Sequence, residues 1–212
     1  MSDIHILELL SSKICHDLIS PIGAVNNGVE LLEEMDAESS EEVAGLIAFS
    51  AQQASGKLQA YRMAYGAGGA DSSIKPEDVY NIFEALIGGD GKIKQDWDPH
   101  APIGPEMLPT GFGKILMSCM LLAIDCLPKG GTITVTAEES DQTVIKATGE
   151  DASFRENILT ALSLDIASEK LEPKIIHPFI TGLMAKSYGF KISTQEENGT
   201  FVALTLTSPH NL

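Results

Sequence analysis

The chain has 212 residues, which is enough for one domain and a smaller second one with a buried core. Its 30 acidic and 14 basic residues give a formal net charge of −16, which disfavours binding to nucleic acid or an anionic membrane and favours protein partners that present a basic patch. No apolar run approaches the roughly 18 to 20 residues that a membrane-spanning helix needs, so we expect a soluble protein.

The N-terminal residues and the cysteines bear on the cellular compartment. The first ten residues, MSDIHILELL, carry acids rather than a basic leader, which argues against secretion and favours the cytoplasm. Cys15, Cys119 and Cys126 are an odd number of cysteines set in apolar sequence, without CxxC spacing. This pattern predicts neither a disulfide framework nor a zinc site, and we expect three buried thiols.

The N-terminal third predicts two antiparallel helices. Apolar and small residues recur every three or four positions from Ile4 to Leu32, which predicts one long helix. Acidic and serine residues from Asp36 to Ser40 break this pattern, and Ser40 before two glutamates is typical of the start of a second helix, which we expect to reach Ala64. Because such a hairpin buries one stripe on each helix, we expect two copies to form a four-helix bundle. The predicted inner stripes are Ile4, Leu7, Ser11, Ile14, Leu18, Pro21, Val25, Gly28 and Leu32, then Val43, Leu46, Ile47, Ser50, Ala54, Leu58 and Tyr61.

A glycine-rich polar stretch, YGAGGADSS, follows the second helix and predicts a domain boundary. We expect a helical hairpin over residues 1–66, a linker over 67–73 and a second domain over 74–212. The patterns beyond the linker predict a mixed sheet with helices on one face, so the fold class is α+β, a helical hairpin followed by an α/β sandwich. The predicted elements are a helix Pro76–Ile87, a strand Lys92–Trp97, a helix Leu108–Leu127, the strands TITVTAEE and TVIKATG, helices Arg155–Leu164 and Pro178–Tyr188, and the hairpin KISTQEENGTFVALTLT turning at Asn198 and Gly199.

A histidine and an aspartate stand side by side in KICHDLISPIGAV, residues 13–25. At about 100° per residue, His16 lies about 200° from Ile14 and from Leu18, so we expect the imidazole to point away from the inner stripe into solvent. A neutral imidazole is a competent nucleophile near neutral pH. Asp17 can accept a hydrogen bond from Nδ1–H and so hold the tautomer in which Nε2 is free to attack.

Pro21 shapes the same turn of helix. It has no amide hydrogen, so it frees the Asp17 carbonyl from its helical bond and can bend the helix beyond the ring. The alternative is a surface histidine beside an ordinary solvated carboxylate, with Pro21 as a tolerated kink; spacing alone does not decide between the two. The other histidines have no comparable surroundings and are expected to be structural or exposed: His5, His100, His177 and His210.

This segment resembles the H-box of two-component sensor histidine kinases, in which the histidine is phosphorylated on the first helix of a dimeric bundle. The matching residues are His16, Asp17, Leu18, Ser20 and Pro21. Ile19 stands where many H-boxes have arginine. The remainder of the chain resembles the Bergerat-type ATP-binding domain that follows the bundle in those kinases.

The resemblance breaks down where those kinases bind nucleotide. In ILMSCMLLAIDCLPKGGTITV, Ser118 and Leu122 stand in place of two asparagines that hold magnesium and nucleotide, and leucine cannot ligate a hard cation. In IKATGED, Ala147 replaces the aspartate that reads adenine, and Asp151 replaces a glycine. Gly182 survives in ITGLMAKSYG without the glycine-rich lid, so phosphates have no cradle.

The chain thus keeps the domain order of a histidine kinase but lacks the nucleotide-binding motifs, and in this it resembles the ChpT family of alphaproteobacterial histidine phosphotransferases. That resemblance implies that His16 takes a phosphoryl group from the receiver domain of a CckA-like hybrid kinase and passes it to CtrA-like and CpdR-like regulators. It implies a homodimer without an intrinsic cofactor or metal site, with Mg²⁺ supplied by the receiver domain. An ATP-dependent histidine autokinase and a non-catalytic dimeric scaffold are the alternatives.

A receiver domain must bring its phosphoryl group within roughly 3 to 3.5 Å of His16, so the outer face of the first helix is the expected docking surface. The expected docking residues are Lys13, Ile19, Ile22, Gly23, Asn26 and Asn27. Gly23 leaves room for a partner, Asp17 orients His16, and Ser20 has a minor polar role. The alternative is that Ile22 belongs to the inner stripe and Gly23 is only a weak helix position, costing about 1 kcal/mol.

Overall fold

A computed structural model describes residues 3–34, 40–71, 73–89, 91–197 and 199–209. The predicted turn from Asp36 onwards, Asn198 in the predicted hairpin turn and His210 lie outside the described residues. Two long helices come first, α1 (Asp3–Glu34) and α2 (Ser40–Tyr65), and they pack against each other as the predicted hairpin. Among the described residues, no helix is both long enough and apolar enough to span a membrane.

The glycine-rich segment after α2 packs closely on the rest of the chain. It contains a 3₁₀ turn, Ala67–Ala70, in which Gly69 is buried. A Cβ added at Gly69 would lie 1.8 Å from the Met63 carbonyl oxygen, so no larger residue fits there. The buried Lys114 ammonium donates to the carbonyls of Ala64, at 3.0 Å, and Gly66, at 2.7 Å. These contacts tie the end of α2 to the sheet domain, while the domain division at 67–73 stays a prediction.

The sheet has five strands in the order β1-β2-β3-β5-β4. β1 runs parallel to β2 and the other neighbours are antiparallel, which is the predicted mixed sheet. The strands are β1 (Ile93–Gln95), β2 (Gly131–Ala137), β3 (Gln142–Ala152), β4 (Lys191–Glu197) and β5 (Gly199–Thr207). Buried side chains alternate along the central strands, so one face of the sheet forms the core with the helices.

Four helices accompany the sheet: α3 (Pro76–Ile87), α4 (Phe112–Asp125), α5 (Ile158–Leu162) and α6 (Ile176–Tyr188). The central helix α4 is almost entirely buried, because it contacts the sheet, α2, α3 and α6. It begins at Phe112 rather than the predicted Leu108, directly after Gly111, which has a φ of +84°. The predicted helix over 155–164 is shorter, because Asn157 and Leu164 both have a φ of +65°, outside the right-handed helical region.

The cysteines differ from the expected pattern. Cys119 and Cys126 are buried, and burial raises the pKa of each thiol to about 12. Cys15 is exposed on α1, so the prediction of three buried thiols is wrong for this residue. The reason is helical geometry, because Cys15 follows the inner-stripe residue Ile14 and is rotated about 100° away from it.

Candidate functional site

His16 lies on the outer face of α1, as the helical spacing predicts. Its side chain is 86% exposed, whereas the side chain of its neighbour Asp17 is only 16% exposed. The Nδ1 atom of His16 lies 3.2 Å from Oδ1 of Asp17. The ring therefore has one nitrogen next to a carboxylate and presents its far side to solvent.

The Asp17 carboxylate is held by two further donors. Its Oδ2 atom accepts hydrogen bonds from Lys13 Nζ, at 2.5 Å, and from the hydroxyl of Tyr61 on α2. Partial burial raises the pKa of Asp17, but the hydrogen bonds from Lys13 and Tyr61 outweigh it and hold the pKa below its usual value. The carboxylate is thus ionised at neutral pH and can only accept, so a neutral His16 donates through Nδ1–H and keeps its Nε2 lone pair free.

Pro21 has the local effect that its missing amide hydrogen predicts. α1 runs unbroken through Pro21, and the Asp17 carbonyl, which residue 21 would bond in a regular helix, accepts a hydrogen bond of 3.1 Å from Lys57 Nζ on α2. Lys57 and Tyr61 are four residues apart, on one face of α2. α2 therefore holds both the backbone and the side chain of Asp17.

Helical spacing predicts Tyr61 only as an inner-stripe residue, and neither Tyr61 nor Lys57 is among the predicted site residues. Both lie 40 or more residues from Asp17 in the chain, so only the hairpin brings them to it. The one signal in the sequence is the spacing of Lys57 and Tyr61, which places them on one face of α2 without indicating what they bond.

The predicted docking residues have different surroundings. Ile19 and Ile22 are more than half exposed, and a Cβ added at Gly23 would meet no described atom within 4 Å. Lys13 donates to Asp17, so its ammonium is already engaged within the chain. The remaining docking residues, Asn26 and Asn27, are exposed, and the Asn26 amide donates to Glu30. Ser20, for which a minor polar role is predicted, is also exposed. The outer face of α1 beyond His16 is therefore open and partly apolar.

A cleft of about 610 Å³ opens beside His16, between α1 and the loops around α5 and α6. Its far wall carries two cations, Arg155 and Lys174, among several acidic groups. No sequence pattern indicates that these residues face His16, because only the tertiary fold brings the segments together. The lining residues are Ser12, Lys13, His16, Asp17, Asp125, Arg155, Glu156, Asn157, Ile158, Glu172, Pro173, Lys174 and Ile175.

The positions compared with the nucleotide-binding boxes of the kinases do not form a shared polar site. Ser118 and Leu122 are buried in α4, where the Ser118 hydroxyl donates to the Lys114 carbonyl at 2.9 Å. Ala147 is buried on β3. Gly182 lies where α6 approaches α5 closely, since an added Cβ would be 2.1 Å from the Leu162 carbonyl oxygen.

The remaining altered position, Asp151, and the predicted structural histidine His177 also make contacts within the fold. Asp151 adopts a φ of +60° in β3 and pairs with Lys129 at 2.8 Å. His177 is 2% exposed; its Nε2 lies 3.0 Å from the Ser118 carbonyl oxygen and its Nδ1 lies 2.6 Å from the Tyr65 hydroxyl. Within the described part of the chain, no group of three or more His, Cys, Asp or Glu side chains is arranged to hold a metal ion.

Two comparisons of sequence bear on this arrangement. Protein phosphotransferase ChpT of Brucella abortus (strain 2308) is 35% identical over 189 residues, which cover 87% of each chain. The family model of the histidine phosphotransferase C-terminal domain matches residues 76–200, more than half of the chain. The chain belongs to the ChpT-type histidine phosphotransferases.

Comparison with solved structures extends this family likeness to the helical hairpin. A bacterial phosphotransferase solved at 1.7 Å superposes on this histidine phosphotransferase with a TM-score of 0.81 at 32% identity, and the match covers 97% of both chains. The predicted fold class, a helical hairpin followed by an α+β domain with a mixed sheet, is confirmed.

Proposed function

We propose that this histidine phosphotransferase carries a phosphoryl group on His16 between the receiver domains of a phosphorelay. The observation that carries the proposal is the exposed imidazole whose Nδ1 faces the anchored carboxylate of Asp17. In the neutral ring this arrangement places the proton on Nδ1 and leaves the Nε2 lone pair free toward solvent, which is what a nucleophile requires.

The chemistry is two successive transfers at one nitrogen. The Nε2 lone pair attacks the phosphorus of an acyl phosphate on a receiver aspartate; the N–P bond forms, the P–O bond breaks, and the aspartate leaves as a carboxylate. The ring keeps its Nδ1 proton, and the Asp17 carboxylate stabilises the positive charge that develops. In the second transfer, a carboxylate oxygen of another receiver attacks the same phosphorus and the N–P electron pair returns to Nε2.

The partner supplies the rest of the site. Mg²⁺ held by the acidic pocket of the receiver would neutralise the phosphoryl oxygens, and no residue of this chain is proposed as its ligand. This chain provides the nucleophile and a surface on which the phosphoryl group is positioned in line. ATP is not proposed as a substrate, because Ser118, Leu122 and Ala147 are core residues at the positions compared with nucleotide ligands.

The docking surface that we propose is the open outer face of α1 around Ile19, Ile22 and Gly23, flanked by Asn26 and Asn27. The loops across the cleft from His16 form a second wall, which a bound receiver domain would contact. By family likeness the donor is the receiver of a CckA-like hybrid kinase, and the acceptors are CtrA-like and CpdR-like regulators. The working form that we propose is a cytoplasmic homodimer built around a four-helix bundle.

A transfer assay tests this function. A receiver domain labelled on its acyl phosphate is mixed with the wild type, with His16→Ala or with His5→Ala, each with and without unlabelled ATP. We expect label on the wild type and on His5→Ala, which changes another α1 histidine, and none on His16→Ala. ATP should make no difference. Equal labelling of His16→Ala, or phosphorylation by labelled ATP without a receiver, would contradict the proposal.

A further inference from the structure

We propose that Tyr61 is a positioning residue for phosphotransfer, which holds the Asp17 carboxylate in the orientation that keeps His16 in its reactive tautomer. The inference rests on the proposed function of His16. It concerns a residue on the second helix, whose hydroxyl meets Asp17 but does not reach the reacting nitrogen of His16.

The geometry of a helix explains why Asp17 needs such support. Consecutive side chains leave a helix about 100° apart and do not face each other. Asp17 can therefore contact the His16 ring only if its carboxylate is rotated so that one oxygen faces the neighbouring side chain. In the structure Oδ2 is fixed on the inner side by Tyr61 and Lys13, and this leaves Oδ1 at 3.2 Å from the His16 Nδ1.

Tyr61 is the more rigid of the two donors to Oδ2. Lys13 lies on the same helix as Asp17 and has a long flexible chain, whereas the Tyr61 ring is stacked on Tyr65 with the centroids 5.5 Å apart. Tyr65 is in turn fixed by its hydroxyl to the buried His177. Burial, together with the Asp17 carboxylate, raises the pKa of Tyr61. Its hydroxyl therefore stays protonated and remains a donor at neutral pH.

Lys57 supports the same arrangement from one turn earlier on α2. Its ammonium fixes the Asp17 carbonyl that Pro21 leaves without a helical partner. Because the Asp17 backbone is held in this way, the orientation of its carboxylate depends on the side chains that it contacts, which are Tyr61, Lys13 and His16. Removing the Tyr61 hydroxyl removes the only one of these contacts that comes from α2 among the described residues.

The test is Tyr61→Phe, which deletes a single oxygen atom and keeps the ring. In ¹⁵N NMR of the free protein, we expect the wild-type His16 to be mainly the Nδ1–H tautomer and the variant to be a mixture of both tautomers. We expect kcat for transfer from a phosphorylated receiver to fall about tenfold, equivalent to about 1.4 kcal/mol of transition-state stabilisation, because an unanchored carboxylate stabilises the charge on the attacking ring less well. KM should stay unchanged, because Tyr61 lies outside the proposed docking surface.

Tyr80→Phe is the matched control, since it deletes a tyrosine hydroxyl on α3, where the ring contacts Trp97 rather than Tyr61 or Asp17. It should keep the wild-type tautomer and kcat. Combining Tyr61→Phe with Asp17→Asn gives a second test: if Tyr61 acts through Asp17, the double variant transfers at the same rate as Asp17→Asn alone.

The outcomes separate this inference from the proposed function. If the wild type accepts a phosphoryl group on His16 and Tyr61→Phe retains its tautomer and kcat, the role of Tyr61 is wrong. Additive losses in the double variant would also overturn it. If the wild type accepts no phosphoryl group, the proposed function fails, and the ¹⁵N spectra still decide whether Tyr61 sets the tautomer.

Discussion

His16 and His177 are the same residue type in opposite surroundings. The side chain of His16 is 86% exposed and His177 is 2% exposed. His177 donates through Nε2–H to the Ser118 carbonyl and accepts at Nδ1 from the Tyr65 hydroxyl, so it connects α6, α4 and the end of α2. A protonated imidazole has no acceptor nitrogen, so on protonation of His177 the Tyr65 hydroxyl would have to change from donor to acceptor.

We expect acid to destabilise the fold through His177. Burial lowers the pKa of its imidazole, although the Asp125 charge opposes this. The unfolded chain has a pKa near the ordinary 6.5, so below that pH the unfolded state binds a proton that the folded state does not. The contribution of His177 to stability is thus present above pH 6.5 and is lost as the pH falls toward the folded-state pKa, by at most about 1.4 kcal/mol per pH unit.

Thermal unfolding at about pH 7.5 and about pH 5.5 measures this effect. The midpoint of the wild type should fall by roughly 2 to 4 °C more than that of His177→Gln, whose side chain does not titrate. His177→Gln should have a lower midpoint than the wild type at both pH values because it loses packing. The quantity to compare is therefore the fall in midpoint between the two pH values in each protein. Equal falls in the two proteins would show that His177 does not carry the pH dependence.

The sequence predicted the local part of the site and missed the distant part. His16, Asp17 and Pro21 lie within one and a half turns of one helix, so helical spacing is enough to predict an outward ring, a neighbouring carboxylate and a freed carbonyl. Lys57 and Tyr61 reach that carbonyl and carboxylate from α2. Their contribution depends on the register between α1 and α2, which the period of each helix does not fix.

At the scale of elements, the outer face of α1 is the surface that we propose as the docking site for a partner. Gly23 stands seven residues beyond His16, two turns along the same helix, where an added Cβ would meet no described atom within 4 Å. A side chain there would fill the space beside the ring without disturbing the hairpin. The open glycine and the exposed Ile19 and Ile22 together make this face accessible to an apolar helix of a partner.

Gly23→Trp should therefore slow phosphotransfer without unfolding the protein. A bulky ring at this position keeps the receiver from approaching to reacting distance, and we expect kcat/KM to fall by a factor on the order of ten or more. Gly68→Trp is the control, because Gly68 is equally open but lies in the 3₁₀ turn after α2. A wild-type rate for Gly23→Trp in the labelled-receiver assay would count against this face as the docking surface.

Periodicity predicted the helices and strands, and backbone conformation decided where they end. α3 has its predicted bounds because Pro76 at its first turn and Gly88 at its end are clear signals. α5 is shorter than its apolar pattern because Asn157 and Leu164 take left-handed conformations, which side-chain hydrophobicity does not indicate. The residues around α5 lie across the cleft from His16 because of the tertiary fold, and neither segment alone predicts this proximity.

At the scale of the whole molecule, one chain leaves much of its predicted inner stripe uncovered. Ile4, Leu7, Leu46 and Leu58 are each more than half exposed, although helical spacing assigns them to the buried seam. Exposed large apolar side chains along a helical hairpin indicate a face that another surface covers. A second copy of the hairpin would cover it with matching periodicity, as in a four-helix bundle.

Light scattering on the purified protein should therefore give the mass of two chains. Leu46→Glu introduces a charge into the proposed seam and should shift the mass toward one chain, since burying an unpaired carboxylate is costly. Leu159→Glu changes an exposed leucine on α5, outside the hairpin, and should leave the mass at two chains. A wild-type mass of one chain at all concentrations tested would contradict the bundle.

The proposed relay requires a phosphoryl group to reach one specific nitrogen of the whole assembly. The most direct measurement is ³¹P and ¹⁵N NMR of the protein labelled at its histidine rings, after transfer from a phosphorylated receiver domain in the absence of ATP. We predict a single phosphohistidine at His16, with phosphorus bonded to Nε2 and the proton retained on Nδ1 beside Asp17. A phosphoryl group on another residue, on Nδ1 of His16, or on no residue of this chain would contradict the account.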